Sequence, residues 1–300
     1  MVQQVIEEKG PVAQASRTSD SVLVPALPAE PVVRIRPGQS SAKSSLSEVW
    51  AHRELLYFLI WRDLKVRYKQ TLLGAAWVIL QPLLMALIFT VFMSNLVRVP
   101  SDGVPYPLFA YAGLLPWMFF SNAVATSSNG LLANSYMITK VYFPRMIIPV
   151  GLVGVRLIDF LTASAMLVPM MFYYRVEVGP SLLVLPLLFL LTTMLTLGLS
   201  VWFAALNIKY RDVGTLLPLL LQVCMFASPI IYPSSLVPEK WRLVYSLNPL
   251  AGLTEGFRAS LFGLPFDWTS IGIASAVIVA LFIYFVRAFC RMEADMVDII

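Results

Sequence analysis

Residues 70–97, QTLLGAAWVILQPLLMALIFTVFMSNLV, contain no charged side chain, and neither do residues 103–139. A helix needs about 20 apolar residues to cross a bilayer, and it is one of the few folds that satisfy their own backbone in hydrocarbon. Each run is long enough for one crossing, and further apolar segments follow. The chain is 58% hydrophobic and 13% charged, against about 25% charged in a soluble domain. So much apolar surface exceeds what one core conceals, so lipid must be part of the solvent. The expected fold class is all-α, a polytopic membrane protein.

Charges punctuate the chain into six expected spans: about 73–96, 108–132, 146–173, within 181–206, within 213–232, and 268–289. Cations on the short flanks set the orientation. With the N-terminus inside, the inner flanks hold eleven Lys and Arg residues and the outer flanks five. Both termini are therefore expected in the cytoplasm. Pro82, Pro116, Pro169, Pro186, Pro218 and Pro229 fall within spans, where membrane helices tolerate proline or kink at it.

Residues 1–45 are rich in Ser, Pro and Gln. Their short apolar piece is broken by Pro25, Pro28 and Pro31, a poor signal-peptide core. They are expected to form a disordered cytoplasmic tail. An amphipathic interface helix follows at 46–70, then a transmembrane unit over 71–292 and a short cytoplasmic tail at 293–300. On a helical wheel of 46–70, Arg62, Lys65 and Lys69 share one side, with Asp63 and Arg67 blurring the pattern. Such a helix can lie on the inner surface with its cations toward lipid phosphates.

Two connecting segments are too apolar for bare loops. Residues 134–146, NSYMITKVYFPRM, carry Tyr136, Tyr142 and Phe143. A short helix offering aromatics there suits either a partner's groove or the headgroup layer. Residues 233–266 include Asn248–Pro249, a favourable helix start. They predict an outward-facing re-entrant hairpin of two short helices between spans five and six. Arg156 with Asp159, and Glu255 with Arg258, are each three apart on one helix face. The first pair either neutralises itself or marks a path through the membrane.

Several functions are excluded by what the chain lacks. There is no GxxxxGK[ST] loop, no HExxH, no GxSxG, and His52 is the only histidine. Cys224 and Cys290 form neither a disulfide framework nor a metal spacing. No catalytic residue, metal ligand or resident cofactor is expected. The net charge of +5 gathers at span flanks, which points to membrane lipids and not to nucleic acid.

Taken in order, LKVRYKQTLLGAAWVILQPLL, FFSNAVATSSNGLLANSYMITKVYFPR, NIKYRDV, ASPIIYP and LNPLAGLTEGFR resemble the permease subunit of type-2 ABC transporters that export bacterial surface polysaccharide. O-antigen, capsule and teichoic acid exporters are its neighbours. The resemblance covers about residues 46–292. It implies a homodimer in the bacterial inner membrane, bound to two cytoplasmic ATPase subunits that hold the ATP and Mg. The implied cargo is a polymer on an undecaprenyl pyrophosphate lipid.

The same resemblance assigns residues to roles. ATPase coupling falls on the loop 134–145, through Tyr136, Lys140, Tyr142, Phe143 and Arg145, with a second contact at Tyr210, Arg211 and Asp212. The outer gate falls on Trp241, Asn248, Pro249, Glu255 and Arg258. Channel lining falls on Phe89, Phe92, Phe226 and Tyr232, whose flat rings suit the apolar faces of sugars. Arg62, Lys65, Arg67 and Lys69 are the expected binders of the anionic headgroup. Two other readings remain open: a type-2 ABC permease for small lipophilic drugs, and a membrane-embedded lipid-carrier transferase.

Overall fold

The computed structural model describes residues 42–69, 74, 76–140, 143–177 and 179–295, all inside the compact unit Gly38–Ile300. Tyr142 and nearly all of the expected N-terminal tail lie outside the described residues. Helix α1 is Ala42–Ala51, α2 Arg53–Lys69, α3 Ala76–Phe89, α4 Tyr106–Ala133, α5 Ser135–Lys140, α6 Ile147–Ser164 and α7 Leu167–Tyr173. Then come α8 at Leu185–Lys209, α9 at Val213–Ala227, α10 at Glu239–Ser246, α11 at Pro249–Phe262 and α12 at Trp268–Asp295. No strand occurs among the described residues.

Helix α4 is the centre of the bundle. It is apolar nearly all round, the pattern of a fully enclosed helix, and α3, α6, α8, α9 and α11 pack against it. Gly130 on α4 meets Leu152 of α6 so closely that an added Cβ would lie 2.3 Å from its Cδ1. Gly198 likewise brings α8 near Phe282 on α12, where an added Cβ would lie 3.3 Å from its Cα. Small residues of this kind set how near membrane helices can approach.

Five helical stretches are long and apolar enough to cross a membrane: Ala76–Leu96, Tyr106–Ala133, Ile147–Tyr173, Pro180–Lys209 and Trp268–Glu293. The fifth expected span, 213–232, contains only the 15-residue helix α9. At 1.5 Å per residue that is about 22 Å, short of a hydrocarbon core of about 30 Å. The cause is local. Ser228 precedes Pro229 and takes an extended backbone with ψ 151°, as a residue before proline prefers.

Two other spans are interrupted. The third breaks at Ala165–Met166, because Pro169 supplies no donor to residue 165 and crowds its carbonyl. The first changes from α to π winding at Thr90–Leu96, where the Thr90 hydroxyl donates to the Ala86 carbonyl at 2.6 Å. Such a local bond competes with regular helix winding.

Helix α2 runs lengthwise along α6, in the same direction. Leu56 and Leu59 flank Gly151, Ile60 abuts Gly154, and Arg67 reaches Asp159. The Ile60 Cδ1 would sit 2.6 Å from a Cβ at Gly154.

Asp267 opens α12 by accepting from the Thr269 and Ser270 amides and from the Ser270 hydroxyl. These bonds, the Ser270 hydroxyl's first, hold its carboxyl below the usual carboxylate range. The cap therefore acts fully above the ordinary aspartate pKa and fades as pH falls through the lower folded value. Asp267→Ala is expected to cost about 1 kcal/mol, seen as a modest drop in the thermal midpoint of the detergent-purified protein.

Candidate functional site

The break after α9 leaves a non-helical backbone among membrane helices, where each carbonyl needs a donor. The structure supplies one for every carbonyl from 226 to 231. Tyr232 Oη donates to Phe226 O at 3.0 Å, and Asn248 Nδ2 to Ala227 O at 3.2 Å. The Ile230 amide turns back to Ser228 O at 2.8 Å. Arg258 Nη1 donates to Pro229 O at 2.7 Å and Nη2 to Ile230 O at 2.6 Å. Tyr106 Oη completes the series on Ile231 O at 2.7 Å.

Arg258 is fully buried. It lies 3.5 Å above the Phe109 ring and pairs with Glu255 Oε1 at 3.3 Å. Glu255 also accepts from the Ser234 amide. Opposite sits Gly113 of α4, where a Cβ would be 2.5 Å from Arg258 Nη2 and 2.7 Å from Ile230 O. Asn248 caps α11 through its contact with the Leu250 amide, and Pro249 takes the first helical position. Glu255, Arg258 and Asn248, assigned to the gate from sequence, thus converge on this turn. Trp241 does not join them and stands exposed on α10.

At the opposite end, α5 and the α8–α9 turn present the polar face. Tyr136 is 77% exposed, with the Lys140 ammonium 5.4 Å from its ring centroid. Tyr210, Arg211 and Asp212 are exposed. Phe143 points inward and belongs to one buried cluster with Val49, Leu59, Met146, Ile147 and Phe289. Arg145 donates to the Glu293 carbonyl in the last turn of α12 at 3.0 Å. Phe143 and Arg145 therefore anchor the loop that Tyr136 and Lys140 display.

The α8–α9 turn hangs on Asn207, which sequence reasoning passed over inside NIKYRDV. Its Nδ2 donates to Ser128 O and Asn129 Oδ1, both at 3.0 Å, and its Oδ1 accepts from the Gly214 amide at 2.9 Å. An asparagine in the last turn of an apolar helix, followed seven residues later by glycine, was the available signal.

A third cluster lies where α2, α4 and α6 meet. Asp159 accepts from Arg67 Nη1 at 2.6 Å, from the Tyr68 hydroxyl and from Arg156 Nη1 at 3.3 Å. Arg156 Nη2 donates to Thr126 Oγ1 at 2.8 Å. Burial raises the Tyr68 hydroxyl to about 12, helped by the neighbouring Asp159 carboxylate. Arg62 pairs with Asp63 at 2.8 Å and reaches Asn134 just before α5. Lys65 and Lys69 stay exposed. The four cations grouped by sequence thus divide into two that brace the helix and two that face outward.

The expected lining aromatics divide as well. Phe92 and Phe226 are exposed on the first span and α9, Phe89 packs on the core, and Tyr232 shares a hydrogen bond with Tyr245 at 3.2 Å. Among the described residues, no cluster of acidic, His or Cys side chains could hold a metal.

Residues 54–262 match the family model described as ABC-2 type transporter. The chain belongs to this family. The matched region runs from the first turn of α2 to the last residue of α11 and contains the Arg258 turn, the Asn207 contacts and the Asp159 cluster. Among similar proteins, the O-antigen export system permease protein RfbA of Klebsiella pneumoniae is 32% identical over 206 residues, 68% of this chain and 79% of the relative. The protein of the same name in Myxococcus xanthus is 29% identical over 218 residues, covering 72% and 83%. The polysialic acid transport protein KpsM of Escherichia coli is 24% identical over 246 residues, covering 79% and 93%. The chain is thus an ABC-2 permease whose homologues export O-antigen and capsule polysaccharides.

Proposed function

We propose that this permease is the membrane subunit of an ATP-driven exporter that carries undecaprenyl-pyrophosphate-linked polysaccharide out of the cytoplasm across the inner membrane. It works as a homodimer with two copies of a cytoplasmic ATPase subunit, which supply ATP and Mg sites. Both termini face the cytoplasm. The observation that carries the reading is an uncovered apolar wall on two elements of an ABC-2 permease. On the first span Leu84, Leu87, Ile88, Val91 and Phe92 are exposed, and on α9 Leu216, Leu219, Leu220, Val223 and Phe226.

Both elements rest on α4 and leave broad faces open. A second copy covering part of these faces leaves Phe92 and Phe226 to line a conduit. Aromatic walls hold sugar rings without fixing one pose. Tyr136, Lys140, Tyr210, Arg211 and Asp212 form the docking face for the ATPase, and Lys65 and Lys69 draw the anionic headgroup toward the inner surface. ATP binding then moves α5, and the motion passes through Phe143 and Arg145 into the bundle.

Deleting the gene is expected to leave lipid-linked polymer inside the cell, and purification from native membrane should bring an ATP-hydrolysing subunit with the chain. A deletion strain with normal surface polysaccharide and new sensitivity to a lipophilic drug would refute the reading.

A further inference from the structure

We propose that the cleft between the end of α2, the start of α3, α4 and α6 binds the phosphate group of a lipid headgroup, held by Arg67 and Arg156 around Asp159. Its walls include Arg67, Tyr68, Trp77, Gln81, Asn122 and Arg156, and its volume is about 190 Å³. At about 30 Å³ per water that is room for roughly six waters, enough for a phosphate or pyrophosphate. It is smaller than the roughly 300 Å³ at which drug-sized pockets begin.

Charge favours an anion. Two guanidiniums face one carboxylate, with side-chain exposures of 29% for Arg67, 24% for Arg156 and 14% for Asp159. The cluster therefore keeps one uncompensated positive charge in a partly desolvated place. A guanidinium carries five donors in a planar fork that matches phosphate oxygens. Arg156 Nε is buried without an acceptor among the described residues, so these do not satisfy the cluster by themselves.

Depth favours a headgroup. The first span, Ala76–Leu96, has 21 residues and measures about 31 Å, close to the hydrocarbon thickness. Its first turns, with Trp77 and Gln81, therefore lie at the inner boundary, where Trp side chains gather. The part of α6 before Asp159 runs beside α2, on the cytoplasmic side of that level. Arg156 and Asp159 thus lie on the inner side of the bilayer centre, level with the end of α2. Which phosphate lipid fills the cleft in the cell, a bulk phospholipid or the pyrophosphate carrier, rests on the exporter reading.

The test is equilibrium binding of radiolabelled farnesyl pyrophosphate to the purified full-length chain, with its ATPase where that co-purifies, in phosphatidylcholine nanodiscs. Saturable binding is expected, at least tenfold weaker in Arg67→Gln and Arg156→Gln. The control Lys240→Gln, exposed on α10 and away from the cleft, should change it less than threefold. Asp159→Asn removes the competing anion and should strengthen binding several-fold. Wild-type affinity in Arg156→Gln, or an equal loss in Arg156→Gln and Asp159→Asn, would reduce the cluster to a structural brace and overturn the proposal. Should Asp159→Asn not fold, Arg156→Lys keeps the charge without the fork and should still lose several-fold; no loss there overturns it as well.

Competitors identify the source. Displacement by inorganic pyrophosphate shows that the phosphate groups suffice. Displacement by phosphatidylglycerol placed in the disc assigns the cleft to bulk lipid, and failure of both to displace refutes a phosphate site. The assay is independent of export. Binding as described, with no lipid-linked polymer in a deletion strain, would keep the cleft and reject the exporter; the reverse pair of results would do the opposite.

Discussion

Arg258→Met is expected to remove most folded protein from the membrane. The side chain is fully buried and its two terminal nitrogens serve the carbonyls of Pro229 and Ile230 and the Glu255 carboxylate. Methionine fills similar space but donates nothing. Two carbonyls would then lose their donors, at about 1–3 kcal/mol for each, and Glu255 would keep only the Ser234 amide among the described residues. Removing one partner of a buried ion pair typically costs about 3–5 kcal/mol. Such a loss is comparable to the entire stability of an ordinary domain, about 5–15 kcal/mol.

The measurement is the yield of monodisperse protein after extraction, with Trp241→Ala on the exposed face of α10 as a control at wild-type yield. Gly113→Ala strikes the same place from α4. Its methyl would meet Ile230 O at 2.7 Å, and backbone cannot swing aside as a side chain can. An overpacking cost of about 1–3 kcal/mol follows. Full yield from Arg258→Met would mean that the 228–231 turn reaches water.

The second large effect separates two aromatic residues that sequence placed in one role. Tyr136→Ala with Arg211→Ala should lower export more than tenfold while membrane levels stay normal, because both side chains are exposed and their loss disturbs no core. Phe143→Ala should fail differently. Phe143 is buried among α1, α2, α6 and α12 residues, and a Phe→Ala cavity costs about 3–5 kcal/mol. Protein level and thermal midpoint should fall with it, and ATPase stimulation by the permease should fall in proportion. Normal protein levels for Phe143→Ala together with complete uncoupling would place its ring outside the core and against the ATPase.

These two results rest on what a sequence can and cannot express. Asn248–Pro249 was legible as a helix start because capping is a local matter of two or three residues, and the structure shows the cap. The spans were legible because crossing hydrocarbon demands a long apolar run. The end of α9 was harder to read. Composition continues apolar through Ile231, while the backbone is turned at Pro229 and held there by Arg258, Asn248 and Tyr106, from distant parts of the chain. Arg258 resembled any surface cation three residues from a glutamate. Asn207 gave only a faint signal, since its partners Ser128 and Asn129 lie on another helix.

By itself the sequence determined a helical membrane protein, its charge-bounded segments and its kinship, because hydrophobic length and local motif are properties of contiguous residues. The tertiary structure alone decided which charges are partnered. Asp159 gathers Arg67 and Arg156 instead of one arginine, Phe143 turns inward while Tyr136 turns outward, and the last apolar segment bends where a guanidinium can receive its carbonyls. Each of those outcomes depends on a desolvated neighbour far away in the chain, and burial is a property of the packed whole.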